Sequence, residues 1–157
     1  MRIHPDKTMQ RISRDNILPR LLRWSGTLLG LAWASPMTLC GIMLALPALA
    51  HRGRLRLVLT PTPALLVSGS WTDYMLRRHP FGPMCAMAIG HIVIAEPLGL
   101  TPRILTHELE HVRQAARWGI LFPLAYIAAS GWAVLHGQDA YWHNVFEVAA
   151  RKAEQHA

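Results

Sequence analysis

Hydrophobic and polar positions change rhythm several times along this chain, and each rhythm predicts a different element. Residues 26–50 carry no charge, a run long enough for a helix to cross the roughly 30 Å hydrocarbon core of a bilayer. Ser35-Pro36 interrupts its middle, so a kinked span or a short helical hairpin fits as well as one straight helix. Leu55-Arg56-Leu57-Val58-Leu59 and Ala64-Leu65-Leu66-Val67 flank Thr60-Pro61-Thr62-Pro63, which predicts two short strands joined by a turn. A brief helix is expected over residues 71–78. Residues 86–95, with Ile89, His91, Ile92, Val93 and Ile94, read as one strand entering just before the next helix.

That next helix has the clearest pattern. Thr101 suits an N-cap, Pro102 suits the first helical position, where its missing N–H costs nothing, and Gly119 offers a stop after Trp118. Arg103, Thr106, Glu110, Arg113 and Arg117 fall on one arc of a helical wheel. Ile104, Leu105, Leu109, Val112, Ala115 and Ala116 fall on the other, giving a half-buried amphipathic helix. His107 and His111 sit at the border, and Glu108 points into the apolar arc, where a carboxylate is costly unless paired or used. Residues 118–138 are again uncharged. A single membrane crossing there would carry Glu147 about 30 Å away from the two histidines. A turn at Gly119, with a helix over 121–135 running back antiparallel, would instead return the chain beside them.

His107-Glu108-Leu109-Glu110-His111 reads H-E-x-x-H. Residues four apart share a helix face, so two imidazoles can hold one metal ion, with Glu108 beside them as general base. Zinc held by two histidines and a third ligand lowers the pKa of a bound water from about 16 to about 7. Metal-assisted hydrolysis is the chemistry this spacing suits. The chain has nine histidines, and the plain alternative is a hydrogen-bonded structural pair. Glu147 is the candidate third ligand, with His136, Asp139 and His143 as substitutes. Asn144 followed by Glu147 is also the spacing of a capping box, in which the glutamate folds back on its own helix start. An oxyanion donor is expected too, and His91, Tyr141 and His143 are the candidates. A lone histidine on an apolar strand, such as His91, is otherwise a buried, satisfied group.

The H-E-x-x-H motif followed by Asn144-Val145-Phe146-Glu147 resembles the zincin metallopeptidases, specifically the gluzincin branch, whose third ligand is a glutamate. The metzincin pattern fails, because Gln114 and Arg117 stand where its glycine and last histidine would fall. A second resemblance, to small uncharacterised bacterial membrane-associated proteins, spans most of the chain. It rests on Trp33-Ala34-Ser35-Pro36, Gly90-His91-Ile92-Val93, the run from His107 to Gln114, Arg117-Trp118-Gly119 and Phe146-Glu147. These resemblances imply one zinc ion on His107, His111 and Glu147, a peptide or protein substrate aligned along the strand near the motif helix, and a bacterial inner-membrane location.

Composition changes the picture in one respect. Of 157 residues, 52% are hydrophobic and only 16% charged, a balance that favours membrane association over an ordinary soluble domain. The net charge of +7 suits arginines bracketing the first apolar run, at positions 11, 14, 20, 23, 52, 54 and 56, against anionic headgroups. A nucleic-acid partner is not expected, since the basic residues surround a lipid-like stretch rather than line a reading face. Ala48-Leu49-Ala50 has the form of a signal-peptidase site, but the preceding basic region is long for a signal, so an uncleaved anchor is preferred. Both flanks are basic, which leaves the side of the membrane open. Cys40 and Cys85 have no metal-site spacing, and a disulfide between them is not expected. The expected architecture is therefore α+β. Residues 1–52 form a basic N-terminus and membrane anchor, a helix or helical hairpin; residues 53–157 form a small sheet and a zincin-like helical unit with an apolar helix at 121–135. The alternative function is a non-catalytic membrane protein with a structural or vestigial metal site.

Overall fold

The computed structural model describes residues 25–59, 62–80 and 82–155. Arg11, Arg14, Arg20 and Arg23, and Thr60 and Pro61 of the expected turn, lie outside the described residues. The chain is α+β. Helices α1 (Ser25–Trp33) and α2 (Ser35–Ala50) meet at a bend of 64°, and Pro36 stands in the first turn of α2, where a proline is tolerated. The apolar run is thus two helices with a break at Ala34.

Strands β1 (Arg54–Val58) and β2 (Ala64–Ser68) follow, then α3 (Ser70–Arg77), β3 (Ala86–Ile89) and β4 (Ile92–Ala95). They form one sheet in the order β1-β2-β4-β3, with β2 and β4 parallel and both outer pairs antiparallel. Residues 86–95 are therefore not one strand. Ile89 pairs with Ile92 across a two-residue turn whose first residue, Gly90, has φ of 59°, a conformation a hairpin turn demands and glycine supplies. The apolar run disguised the turn, because β4 is buried and β3 half-buried, and both are built of apolar residues.

Alternation sorts the sheet into two cores. Ala64, Leu66, Val93 and Ala95 face α4 (Pro102–Trp118), meeting Leu109 and Val112. Val67, Ile92 and Ile94 face the other way, meeting Ala45 and Ala48 of α2 and Leu76 of α3. The first apolar segment is accordingly packed onto the sheet. Helix α4 has the boundaries its caps predict: the Thr101 hydroxyl accepts from the Ile104 N–H at 3.3 Å, and Gly119 closes it.

A 3-10 turn (Gly119–Leu121) leads to α5 (Phe122–Leu135), and α6 (Val145–Glu154) ends the described chain. The return path differs from the expected one. Asn144, at the start of α6, donates to the Tyr126 carbonyl at 3.0 Å and to the Ser130 hydroxyl at 2.8 Å, so the chain is already back beside the middle of α5. It is α6, not α5, that runs antiparallel along α4, with Phe146 near Gln114 and Glu154 near His107. Among the described residues, the helical stretch Pro102–Leu135 is long and apolar enough to span a membrane. Its charges, Arg103, Glu108, Glu110, Arg113 and Arg117, all lie in α4, and α5 is the apolar half.

Candidate metal centre

Three side chains from two antiparallel helices converge: His107 and His111 of α4 and Glu147 of α6. The two imidazole Nε2 atoms are 3.1 Å apart. Glu147 Oε2 lies 3.3 Å from His107 Nε2, and Glu147 Oε1 lies 3.2 Å from His111 Nε2. Asn144, rather than Glu147, caps α6, accepting from the Phe146 N–H at 2.9 Å. The glutamate side chain is thereby free to face the histidines.

Hydrogen bonding behind the imidazoles fixes what they present in front. The Gln114 Nε2 amide donates to the Phe146 carbonyl at 3.0 Å, which turns its Oε1 toward His111 Nδ1 at 2.9 Å. An amide oxygen only accepts, so Nδ1 carries the proton and Nε2 of the neutral ring presents a lone pair. The Glu154 carboxylate does the same for His107, at 2.6 Å from its Nδ1. Two Nε2 lone pairs thus face each other and a carboxylate. Glu147 Oε1 already accepts from the Tyr126 hydroxyl at 2.8 Å, whereas Oε2 is buried with no hydrogen-bond partner.

Such convergence of lone pairs requires a cation. One source is protonation. Burial opposes it most strongly, but the Glu147 and Glu108 carboxylates, joined by Glu154 behind His107 and by Gln114 behind His111, together raise the pKa of both imidazoles. The other source is a metal ion. Two ligands about 2.0–2.1 Å from a tetrahedral zinc lie about 3.3–3.4 Å apart, close to the separations seen here. The donor set of two nitrogens and a carboxylate fits such an ion, and Oε2, which makes no hydrogen bond, lies 4.0 Å from the Arg151 guanidinium. Burial alone would raise the Glu147 carboxyl, but the histidines facing it hold it well below the usual carboxylate range.

Glu108 points away from solvent, 7% exposed, toward β3, where the Ala88 backbone N–H reaches its carboxylate. Burial pushes its pKa upward. The oxyanion candidates separate. Tyr141 lies beside Glu147; burial and that carboxylate push its phenol up to about 12. His143 is exposed. His91 sits in the hairpin turn, its Nδ1 2.6 Å from the Pro63 carbonyl oxygen and its backbone N–H donating to the Thr38 hydroxyl, a structural placement. The substitute ligands stay outside the cluster: His136 Nδ1 donates to the Trp132 carbonyl, and Asp139 accepts from the backbone N–H groups of Tyr141 and Trp142.

Glu154, Gln114 and Tyr126 are site residues that the sequence reading missed. Gln114 is three residues past His111 and Glu154 seven past Glu147, spacings that share a helix face, so periodicity carried a signal for both. Tyr126 had none beyond a hydroxyl on an apolar helix. No protein-family model matches the chain, and neither curated proteins nor solved structures contain a significant match to it.

Proposed function

We propose that this protein is a membrane-associated, zinc-dependent metallopeptidase. The observation that carries the reading is the convergence of the His107 and His111 Nε2 lone pairs on Glu147, each imidazole oriented from behind by its own acceptor. Buried imidazoles held in a fixed tautomer by second acceptors are characteristic of metal ligands. Zinc bound there supplies a Lewis acid and a water of lowered pKa. With zinc bound, Glu108 would take the proton from the attacking water and deliver it to the leaving amine, and burial raises its pKa in the direction that favours holding that proton. Tyr141, protonated at neutral pH, is the candidate donor to the developing oxyanion. The outer edge of β3, next to α4, offers main-chain groups for an extended peptide. Membrane association is supported by α5 and by the outward faces of α1 and α2, where Leu28, Leu29, Leu39, Met43, Leu124 and Ile127 are each at least 60% exposed.

The second reading is a structural metal clip without catalysis, favoured by the low exposure of the three ligands, 11%, 11% and 5%. Metal analysis of detergent-purified protein, with His107→Ala as control, tests the metal. Stoichiometric zinc lost in the variant is expected; substoichiometric zinc unchanged by it overturns the proposal. Glu108→Gln then separates the readings: it should keep the metal while peptidase activity falls by several orders of magnitude. Activity retained in that variant would remove Glu108 from the mechanism.

A further inference from the structure

Strand β1 alternates leucine and arginine, and both kinds of side chain are exposed among the described residues. Leu55 and Leu57 are 52% and 63% exposed, and Leu59, just past the strand, is 65% exposed. Arg54 and Arg56 are exposed as well, and neither has an acidic partner among the described residues. Pairing of Leu55 with Val67 and Leu57 with Leu65 puts the leucines on the sheet face that carries α2. Pairing of Arg56 with Leu66 puts the arginines on the α4 face. The two faces of the strand differ in chemistry, not in accessibility.

Helix α2 and β1 are joined as one rigid piece. Arg52 adopts φ of 56°, its N–H donates to the Leu49 carbonyl at 3.3 Å, and the Gly53 N–H donates to the Ala48 carbonyl at 2.7 Å. This is the bond pair of a Schellman closure, which fixes the exit direction of the chain. Leu55 then lines the same apolar groove as Ile42, Leu46 and Leu49 of α2. Whatever medium covers the outer leucines of α2 must also reach those of β1.

We infer that β1 is an interfacial membrane strand: Leu55, Leu57 and Leu59 enter the outer acyl region beside α2, while Arg54 and Arg56 meet anionic headgroups. This rests on the membrane location proposed above and is independent of the metal. The depth follows from the backbone. Among the described residues β1 is an edge strand paired with β2 alone, and its outer N–H and C=O groups would go unsatisfied in hydrocarbon but are met by water and headgroups at the interface. The sheet therefore lies against the bilayer instead of hanging from an anchor by a linker.

The test uses full-length protein carrying Cys40→Ala and Cys85→Ala, with one new cysteine at Leu57 or at Arg56 labelled with the polarity-sensitive fluorophore NBD. Vesicles of phosphatidylcholine with phosphatidylglycerol are the probe, with Leu55→Cys as a second leucine position and circular dichroism to verify folding. At Leu57 a blue shift and quenching by shallow doxyl-labelled lipid are expected, while at Arg56 quenching by aqueous iodide persists. Vesicle-bound protein whose Leu57 label is as iodide-accessible as the Arg56 label overturns the inference and leaves the membrane location standing. Protection from both quenchers, with intermolecular crosslinking at Leu57, assigns the face to a second copy pairing through the open edge and equally overturns it. Failure to sediment with the vesicles removes the membrane location itself.

Discussion

At the scale of single residues, the proposed chemistry turns on groups that would not touch the metal. The Glu154 carboxylate behind His107 and the Gln114 amide behind His111 decide which nitrogen carries the proton, and so whether Nε2 can donate to a cation. Glu154→Ala should weaken zinc affinity by about 10–100-fold, read by competition with a chromophoric chelator. Glu154→Gln should recover part of that loss, because an amide oxygen can still accept from Nδ1. Glu147→Gln separates ligand from cap. Asn144 already caps α6, so the substitution should keep the helix start, lower the thermal midpoint of the metal-free protein through loss of the carboxylate facing the two imidazoles, and make zinc affinity fall sharply. Unchanged affinity would take Glu147 out of the coordination set.

At the scale of elements, the junction after α4 sets the direction in which α5 leaves, and the chain reverses only beyond α5 to bring the third ligand back. Gly119 has φ of 56° and ψ of −135°, in a region that is costly for any residue with a side chain. A Cβ there would lie 2.2 Å from Cδ1 of the Trp33 indole. Gly119→Ala should therefore cost on the order of 1–3 kcal/mol of stability, seen as a lower unfolding midpoint in detergent. It should also loosen metal binding, because α5 and the start of α6 are placed from this turn. A variant with wild-type stability and wild-type zinc affinity would show that the turn is not under constraint. Asn144 joins the two helices from the other end, holding the Tyr126 carbonyl and the Ser130 hydroxyl while capping α6.

At the scale of the whole molecule, the proposed metal would clamp α6 to α4, joining the last helix to the sheet-packed core. Zinc at 100 times its dissociation constant should stabilise the fold by about 2.7 kcal/mol, and addition of a chelator should lower the melting temperature accordingly. His107→Ala should abolish that chelator response; a response that survives would place the stabilising ion elsewhere. The protein should also sediment with membranes and resist salt extraction, since α5 and the α1–α2 pair present apolar surface rather than charge to their surroundings.

The sequence by itself determined the elements whose signals are local. Thr101, Pro102 and Gly119 set the limits of α4, the Ser35-Pro36 pair sets the break between α1 and α2, and the short continuous apolar run Ala64-Leu65-Leu66-Val67 sets β2. The fold class and the convergence of His107 and His111 were legible for the same reason, since helical periodicity places both on one face. Tertiary structure decided what depends on distant partners. The turn at Gly90 and His91 was hidden in an apolar run, because a buried β4 and a half-buried β3 leave the hairpin without the polar punctuation of a turn. The route by which Glu147 reaches the histidines follows from packing of α6 against α4, where hydrogen bonds over 32 residues between Gln114 and Phe146 and 47 between His107 and Glu154 hold the helices in register. No spacing along the chain encodes such contacts, because their free energy is gained only when the two helices meet.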